Sequence, residues 1–140
     1  HFEEGRFRLA MPDDSPLGAS AGALSDYWTW PDSYETMPER APELFSRLKT
    51  SDLVLFKGDL HYRKLTQDAQ WPSSTSVAHT LGPWAGEVAL VALRTCKAEV
   101  CVGLPEAQEA KLYECDDSWR TNGKWAGTHR ISFYSLLTRQ

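Results

Sequence analysis

The chain has 140 residues, 41% of them hydrophobic and 24% charged, proportions of a soluble domain with a real core that exclude wholesale disorder. Its 15 Lys and Arg are outnumbered by 19 Asp and Glu, a formal charge of -4, so no overall basic field attracts nucleic acid or an anionic membrane, and local groups must do any anion binding. No apolar run approaches the roughly 20 residues that span a bilayer and no charged-then-apolar leader opens the chain, so the expectation is a soluble cytoplasmic protein, with a nuclear location as the alternative.

Taken in order, Phe2 to Leu9 alternates enough to read as a short strand or hairpin arm, and Ala10 to Asp26, rich in Ala, Gly, Ser, Asp and Pro, reads as a mobile surface loop. Residues 1–26 thus form an arm and loop ahead of the body, residues 27–140. Tyr27-Trp-Thr-Trp-Pro31 packs three aromatics into four positions, which is more simply a segment pinned against the fold than a platform for stacking a ligand. Tyr34 to Pro38 is expected to continue extended, because Pro31 and Pro38 restrict their own φ and the residues before them. Pro42 suits the first turn of a helix to about Lys49, with Leu44, Phe45 and Leu48 as its apolar stripe.

Leu53 to Phe56 is a short apolar run of strand length, Lys57-Gly58 a sharp turn, and Asp59 the cap of a helix beginning at Leu60. A helix N-terminus beyond the carboxyl end of a strand favours anions, and in open α/β sheets that is where ligands sit. Asp59, Tyr62 and Arg63 fall at i, i+3 and i+4, one helical face, where a single ligand could meet all three; the plain alternative is a capping Asp, a half-buried Tyr and a solvated Arg. A short helix over Ser76 to Leu81, a turn at Gly82-Pro83 and a strand over Val88 to Leu93 follow, and the gap between the two strands suits a right-handed βαβ crossover with a parallel sheet. Arg94-Thr-Cys-Lys97 then lies at the same sheet edge as Lys57 to Arg63. Lys57, Arg63, Arg94 and Lys97 together make a cluster suited to phosphate, against the alternative that Arg94 and Lys97 are a solvated strand end.

Ala98 to Val102 reads as another strand-like run, Gly103-Leu-Pro105 opens a helix to about Glu114, Asn122-Gly123 marks a turn, and His129 to Tyr134 alternates as a last strand at an edge. Cys96, Cys101 and Cys115 are odd in number and lack CxxC spacing, which argues against a disulfide framework or a zinc site; Cys96 and Cys101 read as small buried hydrophobes. The four histidines make no metal-ligand pattern, no nucleophile-base constellation follows from residue order, and Gly123-Lys124 is too small a piece to be a phosphate loop.

Phe56-Lys-Gly-Asp-Leu-His-Tyr-Arg-Lys-Leu65, Trp71-Pro72 and Leu93-Arg-Thr-Cys-Lys-Ala-Glu-Val100 closely resemble the C-terminal part of the metal-dependent damage-control phosphatases of subfamily III. A member of that family has also been described as a protein-glutamate methyltransferase. The resemblance runs from about Trp28 to Phe133, and its signature is the Arg-Thr-x-Lys motif, here Arg94 to Lys97. It implies a three-layer α/β/α sandwich with a mainly parallel sheet, and hydrolysis of sugar phosphates such as fructose 1-phosphate or fructose 6-phosphate with a divalent metal (Mn, Ni, Co or Mg).

Carried over by position, the resemblance implies substrate contacts at Asp59, Leu60, Tyr62, Arg63 and Lys97, with His61 where the family usually has Asn; the charge cluster adds Arg94 as a substrate contact and Lys57 as a candidate phosphate contact. An imidazole donates and accepts with a different reach and pH dependence from an amide. The family's metal ligands include an Asp-Asn pair, which this chain lacks, and family members are considerably longer. The chain also begins at His1 rather than Met. The expectation is a C-terminal portion without metal ligands of its own, inactive alone and completed by an N-terminal segment or a second chain. The alternatives are a non-catalytic phosphate-binding module and, ranked below it, an S-adenosylmethionine-dependent carboxyl methyltransferase, which would want a glycine-rich cofactor loop that is missing here.

Overall fold

A computed structural model describes residues 9, 11–20 and 22–131. The arm expected over Phe2 to Leu9, Leu9 excepted, and the end of the last strand beyond Ile131 lie outside these residues. A single helical turn, α1 (Ala23–Asp26), passes into a 3-10 turn over Tyr27–Thr29, and the chain becomes extended at Trp30, ahead of Pro31. Tyr27 is fully buried, and Trp28 and Trp30 pack half-buried against the core. The aromatic cluster therefore serves burial.

Tyr34 to Pro38 is helical rather than extended: a 3-10 turn over Tyr34–Thr36 leads into α2 (Met37–Arg40). Pro38 sits in the first turn of α2, where a missing N–H costs nothing and its fixed φ suits a helix, and the coil seats Tyr34 and Met37 at 0% exposure. The eight-residue α3 (Pro42–Lys49) buries Leu44 and Phe45.

Four residues form β1 (Val54–Lys57), which passes through Gly58 into α4 (Asp59–Leu65). Gly58 has φ of 120°, a conformation that side-chain-bearing residues rarely adopt, and it, not Asp59, occupies the position before the helix. Asp59 is the first helical residue and makes no capping bond. Its carboxylate is drawn elsewhere, as described below.

The short α5 (Val77–Thr80), capped by the Ser76 side chain, and a 3-10 turn over Gly82–Trp84 lead to β2 (Leu90–Thr95). β1 and β2 are parallel, with Val54 opposite Leu90 and Lys57 opposite Leu93, as the crossover reading requires. The helix α6 (Glu106–Cys115) follows, and β3 (Ala126–Ile131) returns antiparallel to β2, giving the sheet order β1-β2-β3.

The described sheet is thus mixed, three-stranded, and carries its buried face on one side only: Phe56, Leu90, Ala92 and Arg94 are buried, whereas Leu55 and Lys57 are exposed. A three-layer sandwich goes beyond what these residues form. The main core gathers Tyr27, Tyr34, Met37, Phe45, Phe56, Tyr62, Trp84 and Leu90, and a smaller cluster holds Cys96, Cys101 and Trp119. Among the described residues no helix is long and apolar enough to cross a membrane.

Ala98 to Val102 forms no strand. Its backbone finds other partners: Arg94 donates to the Val100 and Ala98 carbonyls at 2.5 and 3.3 Å, the Val102 N–H donates to the Tyr62 hydroxyl at 3.0 Å, and the Gly103 and Leu104 N–H groups bond the Thr75 and Ser73 carbonyls. A buried backbone must be paired, and here side chains and a neighbouring loop do what a strand would have done.

Candidate phosphate-binding edge

Parallel pairing brings the carboxyl ends of β1 and β2 to one edge, where Lys57, Asp59 and Lys97 lie within a few residues of the strand ends. At its centre is Arg94, only 4% exposed. Its guanidinium forms an ion pair with the Asp59 carboxylate at 2.7 Å and stands 4.3 Å from the centre of the Tyr62 ring. With its bonds to Val100 and Ala98, it ties the start of α4 to the loop after β2. Arg94 is therefore not a solvated strand end, and its charge is matched inside the protein.

Tyr62 lies under that guanidinium, 1% exposed, its hydroxyl accepting from Val102. Burial, opposed by that hydrogen bond and by Arg94, pushes its phenol up to about 12. The His129 ring from β3 lies tilted at 34° to the Tyr62 ring, with ring centres 5.3 Å apart, and burial together with the Arg94 charge holds its imidazole below the ordinary value.

The other expected contacts fall into three groups. His61 points into the aromatic core, its Nδ1 2.6 Å from the Tyr34 hydroxyl. Burial raises the Tyr34 phenol and, with the Lys64 charge, lowers the His61 imidazole, and the His61 tautomer sets which of the two donates. Arg63 does not join Asp59 and Tyr62: its guanidinium pairs with Asp68, with Nε to Oδ1 at 2.8 Å. Gln67 and Asp68 are left-handed, with φ of 62° and 51°, and that reversal swings the Asp68 carboxylate back over the helix end, lowering its own pKa and raising that of Arg63. Leu60, Lys57 and Lys97 are exposed, and the Lys97 stem runs along Gly123 of the Asn122-Gly123 turn.

Lys64 escaped the sequence reading, although it is 9% exposed, donates to the Trp30 carbonyl and stands 5.3 Å from the Tyr34 ring centre. The signal was the helical spacing that puts it on the His61 side of α4, facing the Tyr27–Pro31 aromatics. His129 was read only as a strand residue.

A cleft of about 460 Å³ opens beside this edge, lined by Cys96, Cys101, Trp119, Trp125 and His129 among others. Burial pushes both thiols up, so neither is poised as a thiolate nucleophile. Among the described residues no group of three or more His, Cys, Asp or Glu is placed to hold a metal ion, and Asp59, the acidic residue at this edge, is engaged with Arg94. The residues present do not fit a metal site by themselves.

The pattern of the damage-control phosphatase ARMT1-like domain matches residues 20–112, well over half of the chain. The chain belongs to the ARMT1-like damage-control phosphatase family. It is 42% identical over 99 residues to "Damage-control phosphatase ARMT1" of Homo sapiens, covering 71% of this chain and 22% of that protein. The protein of the same name from Danio rerio is 45% identical over 100 residues, and that from Xenopus laevis 39% over 99, with the same coverage. The chain thus spans about a fifth of the length of the curated ARMT1 relatives it matches. Both the Lys57–Leu65 stretch and the Arg94–Lys97 motif lie inside the ARMT1-like match.

Proposed function

We propose that this chain supplies the phosphate-facing edge of a metal-dependent phosphatase acting on sugar phosphates of the fructose 1-phosphate or fructose 6-phosphate type. One observation carries the reading in a family of damage-control phosphatases: the exposed cations Lys57 and Lys97 flank the end of a parallel strand pair whose interior is braced by the Asp59–Arg94 ion pair. Lys97 and Lys57 bind the phosphoryl oxygens as point charges and offset the charge that builds on them in the transition state.

Asp59, held by Arg94, orients a hydroxyl of the sugar. Arg94 acts through Asp59 and the loop after β2, so it is a positioning residue. The divalent metal, whose ligands belong to a part of the fold outside this chain, supplies Lewis-acid chemistry when bound.

Phosphate release from fructose 6-phosphate by the completed protein is expected to need added divalent metal and to stop with a chelator. Release that resists a chelator overturns the mechanism. The lack of a metal-holding group among the described residues favours a second reading, a module that binds phosphate without turnover. Calorimetric binding of fructose 6-phosphate with no phosphate released by the completed, metal-loaded protein would establish it instead.

A further inference from the structure

Lys97 is exposed, and among the described residues no carboxylate pairs with its ammonium, so no ion pair sets its direction. What it has instead is an anchored backbone and a wall. The residue before it, Cys96, is buried and bonded on both sides by one loop: its N–H donates to the Trp125 carbonyl at 2.8 Å, and its carbonyl accepts from the Gly123 N–H at 2.9 Å. Gly123 also lies along the Lys97 stem, where a Cβ at position 123 would stand 3.6 Å from Lys97 Cε. Its φ of 75° is left-handed, a conformation that glycine adopts without strain.

Asp116, the residue after α6, holds that loop in shape. Its Oδ1 accepts from the Ser118 N–H at 3.0 Å and the Ser118 hydroxyl at 2.8 Å, and its Oδ2 accepts from Asn122 Nδ2 at 2.6 Å and Trp125 Nε1 at 3.1 Å. Asn122 in turn accepts from the Lys124 N–H at 2.9 Å. An ordinary turn after a helix needs only the Ser118 bonds. The other two reach across the loop: Asn122 immediately precedes Gly123, and Trp125 is itself a partner of Cys96, so each bond to Cys96 sits beside a bond to Asp116. These hydrogen bonds, that of Trp125 foremost, bring the Asp116 carboxyl down to about 2 and keep it ionised well into acid.

We infer that Asp116 is a positioning residue for Lys97, holding the 122–125 loop that fixes the Cys96 backbone and lines the Lys97 stem. The inference rests on the reading of Lys97 as a phosphate contact. A lysine held in this way meets phosphate with part of its side-chain ordering already done, whereas a loose one is ordered only on binding.

The test compares the completed, metal-loaded protein with Asp116→Ala, Lys97→Ala and the double variant, reading KM and kcat for fructose 6-phosphate, or Kd by calorimetry if the parent binds without release. Asp116→Ala should raise KM or Kd about threefold to tenfold, the cost of ordering one long side chain, with kcat changed less. The sign is diagnostic, because loss of a carboxylate near a phosphate site would by its charge alone tighten binding. In the Lys97→Ala background Asp116→Ala should have no further effect. Asn122→Ala, which frees the same loop without a change of charge, should act in the same direction, and Asp117→Ala, at the exposed neighbour, should not. Urea unfolding checks that the variants stay folded. A lower kcat at unchanged KM reports a smaller folded fraction and overturns the inference, as do unchanged or tighter binding in Asp116→Ala and losses that add in the double variant. Binding without release that still weakens in Asp116→Ala supports the inference and counts against the phosphatase reading alone, whereas no binding by the parent overturns both.

Discussion

The Arg94 guanidinium lies 2.7 Å from the Asp59 carboxylate and 4.3 Å from the centre of the Tyr62 ring, so one buried cation joins the carboxyl end of β2 to the first turn of α4. Its two carbonyl partners, Val100 and Ala98, extend the tie to a loop that has no ladder of its own. Sequence spacing offers Arg94 to a phosphate; burial commits it to the protein.

Arg94→Leu should lower stability by about 3–5 kcal/mol, because Asp59 is left as an uncompensated, largely buried charge and two carbonyls lose their donor. Asp59→Asn combined with Arg94→Leu should cost less than the two single changes added together. Urea unfolding of the four proteins measures it, and additive costs would show that the pair is not coupled.

Tyr62→Phe keeps the ring under Arg94 and removes the acceptor of the Val102 N–H, a loss of about 1–3 kcal/mol for an orphaned buried donor. Hydrogen exchange at the Val102 amide should accelerate more than at Leu93. Equal acceleration at both would mean that the hydroxyl does not hold the loop.

The two lowered histidines set a pH dependence. His61, beside Tyr34 and Lys64, and His129, against Tyr62 and near Arg94, have folded pKa values below the ordinary 6.5, so between those values and 6.5 the unfolded chain binds more protons. Stability therefore rises with pH through that window and is lost as pH falls below 6.5. The urea midpoint should be lower near pH 5 than near pH 7.5, and His61→Asn with His129→Gln should flatten the difference. A midpoint that does not change with pH, or that rises on acidification, would contradict the buried placement of both rings.

Local signals carried the backbone well where one force dominated. Pro42 and the Leu44-Phe45-Leu48 stripe define α3, the Leu53–Phe56 run and Gly58 define the strand and turn, and the long gap to β2 implies parallel pairing. Pro38 misled because proline fits both an extended segment and the first turn of a helix, and only the burial of Tyr34 and Met37 decides between them. Ala98 to Val102 has the composition of a strand, yet Arg94 and Tyr62 take its backbone bonds, a long-range competition that no local pattern reveals.

At the site, spacing placed Asp59, Tyr62 and Arg63 on one helical face, but the left-handed Gln67-Asp68 reversal removes Arg63, and His129 arrives from a strand some 70 positions away by sequence count. That Lys57, Asp59, Arg94 and Lys97 gather at one sheet edge was legible from the strand-helix-strand order. Which charges face inward was not, because an arginine is as easily a ligand contact as a buried brace until its carboxylate partner is located.

The most direct measurement is phosphate release from fructose 6-phosphate by the completed protein, with and without divalent metal, comparing the parent with Lys97→Ala. The account predicts metal-dependent release that falls by about tenfold or more in Lys97→Ala, the loss of one charge-assisted phosphate contact, while the urea midpoint stays put because Lys97 is exposed. Release at the parental rate in Lys97→Ala, or release undiminished by a chelator, would contradict it.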